Sequence, residues 1–425
     1  MNFRRICAAI LIVMLSINMC ACGNNNDTKT NDAASADSSQ ESDTIQDDST
    51  SEDLGSKGNN SEDTEETKPQ NPLLKMPEPI DFSAINSILP GRVTVEGTDF
   101  VVDGENIYMN GSNVPWNNWN DFGGSFNKKF WNEHFATLHE SGINSVRVWI
   151  SCNGDAGMSI TKEGYVNGAS TKHWEHLDTL FTLAEENGIY VMATLMSFDH
   201  FKDSNNTYNS WRTMIQDETL MDSYVENYLI PFCERYDDFN SLWSIDLCNE
   251  PDWIYENSEC GKISWENICK FFAKEASAIH DNSDILVTIG FGMIKYNSEI
   301  YSGNMGSDEY LQSLYADEAA YLDFYSTHYY EWEATWYGFP FDVTPTEFGL
   351  DGTKPCVLGE FPAVGMLGNV NGSKEMSADD CYINLYNNWW NGAFAWTSNG
   401  VDDCGSLEDF KTGAMEVYNM IYEVE

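Results

Sequence analysis

The sequence predicts an α/β chain organised as a single closed (β/α)8 barrel, with a short β-hairpin ahead of it and a disordered acidic segment before that. Three observations carry this expectation. Short apolar runs that read as buried strands begin near residues 107, 145, 189, 242, 285, 322, 356 and 392, which makes eight. Helix-like segments separate most of them over about 320 residues, the alternation expected of a closed parallel barrel. The competing architecture, an open doubly wound sheet, is weakened by the absence of a glycine-rich phosphate loop after the first strand.

In chain order, residues 100–109 read as a hairpin turning at Asp103-Gly104, its second arm running on into 107–113. Residues 128–141 are helix-like and lead into a strand at 145–150; 172–187 lead into 189–195. Helices at 221–236 and 263–280 precede strands at 242–247 and 285–290. Strands at 322–328 and 356–359 follow, then a helix over 378–388, a strand at 392–397 and a last helix at 407–422. Segments 291–321 and 329–354 lack clear periodicity and are expected to be long loops on one face of the barrel.

Residues 1–21 read as an export signal: Arg4 and Arg5, an apolar run over 6–17, then small residues. That run is short for a membrane span. Ala21-Cys22-Gly23 resembles a bacterial lipoprotein cleavage site, which implies a lipid on Cys22; plain secretion is the alternative. Residues 22–78 are then expected to be a lipidated, disordered linker, too polar to bury a core, and 79–425 the folded domain. About 50 flexible residues reach about 40 Å.

The formal net charge is -46. Residues 23–70 contribute 13 Asp and Glu against 3 Lys, so most of the acidity belongs to the folded part. Such a surface repels nucleic acid and anionic membrane, leaving a lipid as the expected membrane contact. A neutral polymer meets no comparable penalty. Of eleven cysteines, eight lie beyond the leader: Cys152, Cys233, Cys248, Cys260, Cys269, Cys356, Cys381 and Cys404. Their spacing recommends no zinc site. Cys248 and Cys356 fall inside strands as small core residues, and one or two disulfides among the eight are open. His173 and His176 share a helix face at ligand spacing without an evident third ligand, so they are expected to be surface histidines. No metal and no cofactor is expected, and the chain is expected to act as a monomer.

In a barrel the C-terminal strand ends open onto one face. Read in order, those ends supply Asn113 and Trp116, Arg147 and Trp149, Asp199 and His200, Asn249 and Glu250, His328 and Tyr330, Glu360, and Trp396. Two strand-tip glutamates about 110 residues apart offer the paired carboxylates of glycoside chemistry. Aromatic faces and hydroxyl-binding groups around them suit a sugar. Trp116, Trp119, Trp211, Trp253, Trp332 and Trp336 lie on or near the same loops, which suggests several sugar sites along a cleft, with about half of these tryptophans in the core.

Asn249-Glu250-Pro251 after the fourth strand, Glu360 after the seventh, Arg147 in Val-Arg-Val-Trp149, His328-Tyr-Tyr330 and Ala-Trp396-Thr resemble glycoside hydrolase clan A, and within it family 5, the cellulases and β-mannanases. The resemblance spans roughly 95–425. It implies Glu250 as the acid/base and Glu360 as the nucleophile of a retaining endo-β-1,4-glycanase. It also implies Arg147 and Tyr330 holding Glu360 ionised, Asn249 on the sugar 2-hydroxyl, His328 near Glu250 and Trp396 as the sugar floor. Trp116 and His200 complete the expected substrate contacts. The run 110–119, with Asp121-Phe-Gly-Gly124 behind it, resembles mannanase-related members. Met196-Ser-Phe-Asp-His-Phe201 lacks the Asn-Trp pair of the best-known mannanases, which leaves β-1,4-glucan and mixed-linkage glucan open. An exo-acting enzyme and a non-catalytic glycan-capturing lipoprotein are the remaining alternatives.

Overall fold

A computed structural model describes residues 74–301 and 303–423. The export signal, Cys22 and all of the linker before residue 74 lie outside the described residues. Eight strands close a parallel barrel in sequence order: β1 (Met109–Asn113), β2 (Ser145–Trp149), β3 (Tyr190–Thr194), β4 (Leu242–Asn249), β5 (Leu286–Phe291), β6 (Tyr325–His328), β7 (Cys356–Pro362) and β8 (Gly392–Trp396). Gly392 pairs with Met109, so the last strand closes on the first.

The helices follow from apolar spacing and caps. In Lys128–Glu140, Trp131, Phe135 and Leu138 fall on one buried stripe, and Asn127 caps the first turn by accepting from the Phe130 N–H. Thr171–Asn187 starts at Ser170 and ends at Gly188, whose φ of 68° is the left-handed stop that glycine adopts at little cost. Leu407–Tyr422 begins with a capping box between Ser406 and Asp409.

The N-terminal sheet differs from the expected hairpin. It has three strands, Thr94–Glu96, Asp99–Val102 and Glu105–Asn106, and its last arm stops before β1 instead of running into it. The break lets Phe100 turn into the floor of the barrel, edge-on to Trp243 and Phe324 at 5.2 Å each. With Val93, Val102, Met109, Tyr190 and Phe394 it fills the N-terminal end, leaving the other end for chemistry.

Two segments read as loops contain structure. Asp308–Leu314 is a short helix after β5, capped by Ser307, and the stretch after β6 holds the one-turn helices Ala334–Tyr337 and Pro345–Phe348. A small antiparallel pair, Met158–Ile160 with Val166–Ala169, interrupts the β2 crossover. Near their C-terminal ends β5, β6 and β7 shift register, between Thr288 and Gly290, Thr327 and His328, and Leu358 and Phe361. Such irregularities re-aim side chains, and here they flank His328 and Glu360. The eight described cysteines are free thiols, all buried, so none of the possible disulfides forms among them.

Candidate active site

Glu250 follows β4 with φ 46°, a left-handed conformation unusual outside glycine that turns its side chain off the strand line. Pro251 then opens the short helix Asp252–Glu256. The Glu250 carboxyl lies over Gly292: a methyl there would stand 3.0 Å from Glu250 Cδ and 3.1 Å from Asp252 Oδ2. Trp253 Nε1 donates to Glu250 Oε2 at 2.9 Å, and His328 Nδ1 lies 3.0 Å from Oε1.

Glu360, on β7, is held from two sides. Arg147 Nη1 donates to Oε1 at 2.6 Å and Tyr330 Oη to Oε2 at 2.9 Å. The fully buried guanidinium also pairs with Asp246 Oδ2 at 2.7 Å and donates to Asn113 Oδ1 at 3.1 Å and Asn249 Oδ1 at 2.8 Å. Gly290 makes room for it, since a Cβ there would come within 2.9 Å of Arg147 Nη2. With its carbonyl committed to Arg147, Asn249 keeps its amide nitrogen as a donor for a ligand. Glu250, His328 and Glu360 each bring an atom within 4.8 Å of the others. A metal could use three such groups; Arg147 already supplies a positive charge to Glu360 Oε1.

Burial pushes Glu250 up to about 7, against the pull of Arg147 and the Trp253 bond. Burial also raises Glu360, while the His328 ring and the Arg147 guanidinium draw it back. The cation in direct contact with Glu360 makes it the first of the pair to ionise, which separates one acid from one carboxylate. Burial lowers His328 to about 4, so its ring is neutral.

Trp396, at the end of β8, packs 5.6 Å from Trp149 and 6.0 Å from Trp116. Trp116 is half-buried, and Trp119 beyond it is exposed. A second aromatic file runs from the Glu250 partner Trp253 to Trp332 at 6.4 Å and on to Trp336 at 5.9 Å, the last 52% exposed. Trp211 is core. His200 does not meet the expected role: it is fully buried, with Nε2 3.0 Å from Ser151 Oγ and Nδ1 3.0 Å from the Ser197 carbonyl. Neither ring nitrogen is left for a sugar. His173 is not a surface residue either; it is buried against Tyr228 Oη at 3.0 Å and the Phe122 carbonyl.

The chain is 25% identical over 334 residues to a mannan endo-1,4-beta-mannosidase of Cryptopygus antarcticus, covering 72% of this chain and 85% of that protein. It is 24% identical over 337 residues to the enzyme of that name from Mytilus edulis, covering 73% and 89%. The structure of an endo-1,4-beta-mannanase from Eisenia fetida matches its fold with a TM-score of 0.68 at 21% identity, covering 77% of this chain and 95% of that one. A beta-1,4-mannanase from Aplysia kurodai matches at 0.67 and 24%, covering 77% and 97%. No family model matches the chain. This chain is a glycoside hydrolase, similar to mannan endo-1,4-beta-mannosidases.

Sequence reasoning missed several groups in this glycoside hydrolase. Asp246 had a signal: a carboxylate inside an apolar strand needs a buried cation, and Arg147 is that cation. Trp253 was noted only as an aromatic, with nothing local to tie it to Glu250. Asp402 bonds the Trp396 side chain from the loop after β8, and Lys202, beside the Asp199 that the sequence does place at the rim, brings its charge near Glu250. Those contacts cross between loops and leave no local pattern.

Proposed function

We propose that this glycoside hydrolase is an endo-acting β-1,4-glycanase that cleaves plant cell-wall mannan or glucomannan by double displacement. The observation that carries the mechanism is the pair of carboxyl groups with atoms within 4.8 Å, one bonded to Arg147 and Tyr330, the other flanked by His328 and Trp253. Carboxyls of retaining enzymes lie about 5–5.5 Å apart, whereas inverting ones leave a gap for water. Glu360 attacks the anomeric carbon while Glu250 gives its proton to the departing glycosidic oxygen. Water then attacks the glycosyl ester, Glu250 takes the proton of that water, and Glu360 leaves as the carboxylate. Asn249 donates to the 2-hydroxyl, and Trp396 floors the sugar being cleaved.

The names of the relatives from Cryptopygus antarcticus and Mytilus edulis support mannan as substrate. The two aromatic files, from Trp396 to Trp119 and from Trp253 to Trp336, support a cleft with several sugar sites. Product analysis on galactomannan, glucomannan, carboxymethyl cellulose and lichenan tests this. Mixed oligosaccharides from the first two are expected; monosaccharide alone removes the endo assignment, and cleavage of only the last two moves the substrate to glucan.

The leader and Ala21-Cys22-Gly23 support export to the bacterial surface and a lipid anchor at Cys22. Palmitate labelling that persists in Cys22→Ser removes Cys22 as the anchor.

A further inference from the structure

The loop after β3 is anchored more heavily than a connection requires. A bridge between Ser197 and Asn249 extends the β3–β4 pairing to within one residue of Glu250. His200 holds Ser197 and Ser151 from below, while Asn205 Nδ2 donates to the carbonyls of His200 at 2.9 Å and Asn153 at 2.7 Å. Arg212 Nε reaches the Phe201 carbonyl at 2.9 Å.

This scaffold presents Asp199 and Lys202. The Asp199 carboxylate accepts from Ser197 Oγ at 2.8 Å and pairs with Lys202 Nζ at 2.7 Å; each side chain keeps 14% of its surface exposed. The ammonium lies 4.4 Å from the centre of the Phe198 ring. Both charges act on Glu250, and both act on Asp402, which bonds Trp396. Through the Ser197–Asn249 bridge the pair stands beside the acid/base, and its charges are felt as far as the partner of the tryptophan floor. A carboxylate that accepts and an ammonium that donates, at fixed spacing, match two neighbouring hydroxyls of a pyranose, one donating and one accepting.

We propose that the Asp199–Lys202 pair binds a vicinal hydroxyl pair of the sugar seated between Trp396 and Glu250, and thereby helps set which polysaccharide the cleft accepts. This rests on the hydrolase reading and deepens it. The pair takes the sugar-binding place that the sequence gives to His200, and His200 is the brace beneath it.

The test measures binding without turnover. Asp199→Asn and Lys202→Met are made in a Glu360→Gln background, and mannohexaose and cellohexaose are titrated by calorimetry. The hexasaccharide that the background binds more tightly is expected to lose about tenfold in Kd in each variant, as for one charge-assisted hydrogen bond, with the melting temperature kept. The ratio of the two Kd values is expected to move with it. Lys202→Arg keeps the charge and the ion pair but changes the donor geometry, so it covers a variant that unfolds. Its Kd rises if the pair holds sugar. An unchanged Kd in the folded variants, or a background that binds neither sugar, overturns the proposal. Failure of the unsubstituted chain to cleave any polysaccharide is a separate result and overturns the hydrolase reading.

Discussion

The end of β6 and the loop after β3 each place a fully buried histidine on the same rim of the barrel, and the two do different work. Burial lowers both rings, His328 to about 4 and His200 to about 3. Their partners differ. His328 faces Glu250 at 3.0 Å and Glu360 at 3.5 Å, with its Nε2 unpartnered. His200 spends both nitrogens on serines. Burial and a depressed proton affinity therefore do not identify a catalytic histidine; the group across the hydrogen bond does.

Substitutions can break or sharpen this contrast. The largest effect is expected at the carboxylates that His328 touches: Glu360→Ala should lower kcat by more than about 10⁴-fold. Glu250→Gln should cost about 10²–10⁴-fold, with smaller losses on substrates whose leaving group needs no proton. Steady-state kinetics on an activated aryl glycoside beside a mannan oligomer separates the two. His328→Ala should lower kcat about a hundredfold by loosening Glu250, and a kcat within a factor of two of the parent would remove His328 from the site.

The pH profile comes next. Glu250 must carry a proton to act as an acid and loses it as pH rises through about 7, so kcat/KM should fall above about pH 7. An alkaline limb near pH 5 would mean that the acid is not held in a buried setting. The smallest catalytic effect is expected from His200→Ala. It strands the Ser151 and Ser197 groups and should lower stability by about 1–3 kcal/mol, while its kcat falls far less than in His328→Ala. A thermal melt beside the kinetics gives both readings.

Most of the barrel was legible because most strands hold or adjoin a short apolar run and each proposed catalytic glutamate sits at the polar stop that ends one, as in Leu-Cys-Asn249-Glu250 and Leu-Gly-Glu360. Strand tips also revealed Arg147, His328, Tyr330 and Trp396, which the fold gathers around one space. His200 was misplaced for the same reason. Sequence position puts a residue at the rim, but successive side chains of the 3-10 turn Phe198–Phe201 diverge by about 120°, and Asp199 lies beside Lys202 while His200 turns inward. The Thr94–Glu96 strand and the 158–169 pair escaped notice because strands of three or four residues carry too little periodicity to register. Trp253 and Asp402 reach their partners across loop space, which no spacing rule encodes.

Gly292 gives the acid its place by having no side chain. The stereochemistry of a glycosidic cleavage depends on whether a carboxylate or a water molecule first reaches the sugar carbon, and the gap between the two carboxyls decides that. In this protein the acid rests against a bare backbone position, where a single methyl would require Glu250 or Asp252 to yield by a few tenths of an ångström. The position of Glu250 thus depends on a residue that carries no side chain and would be passed over in any search for chemical groups.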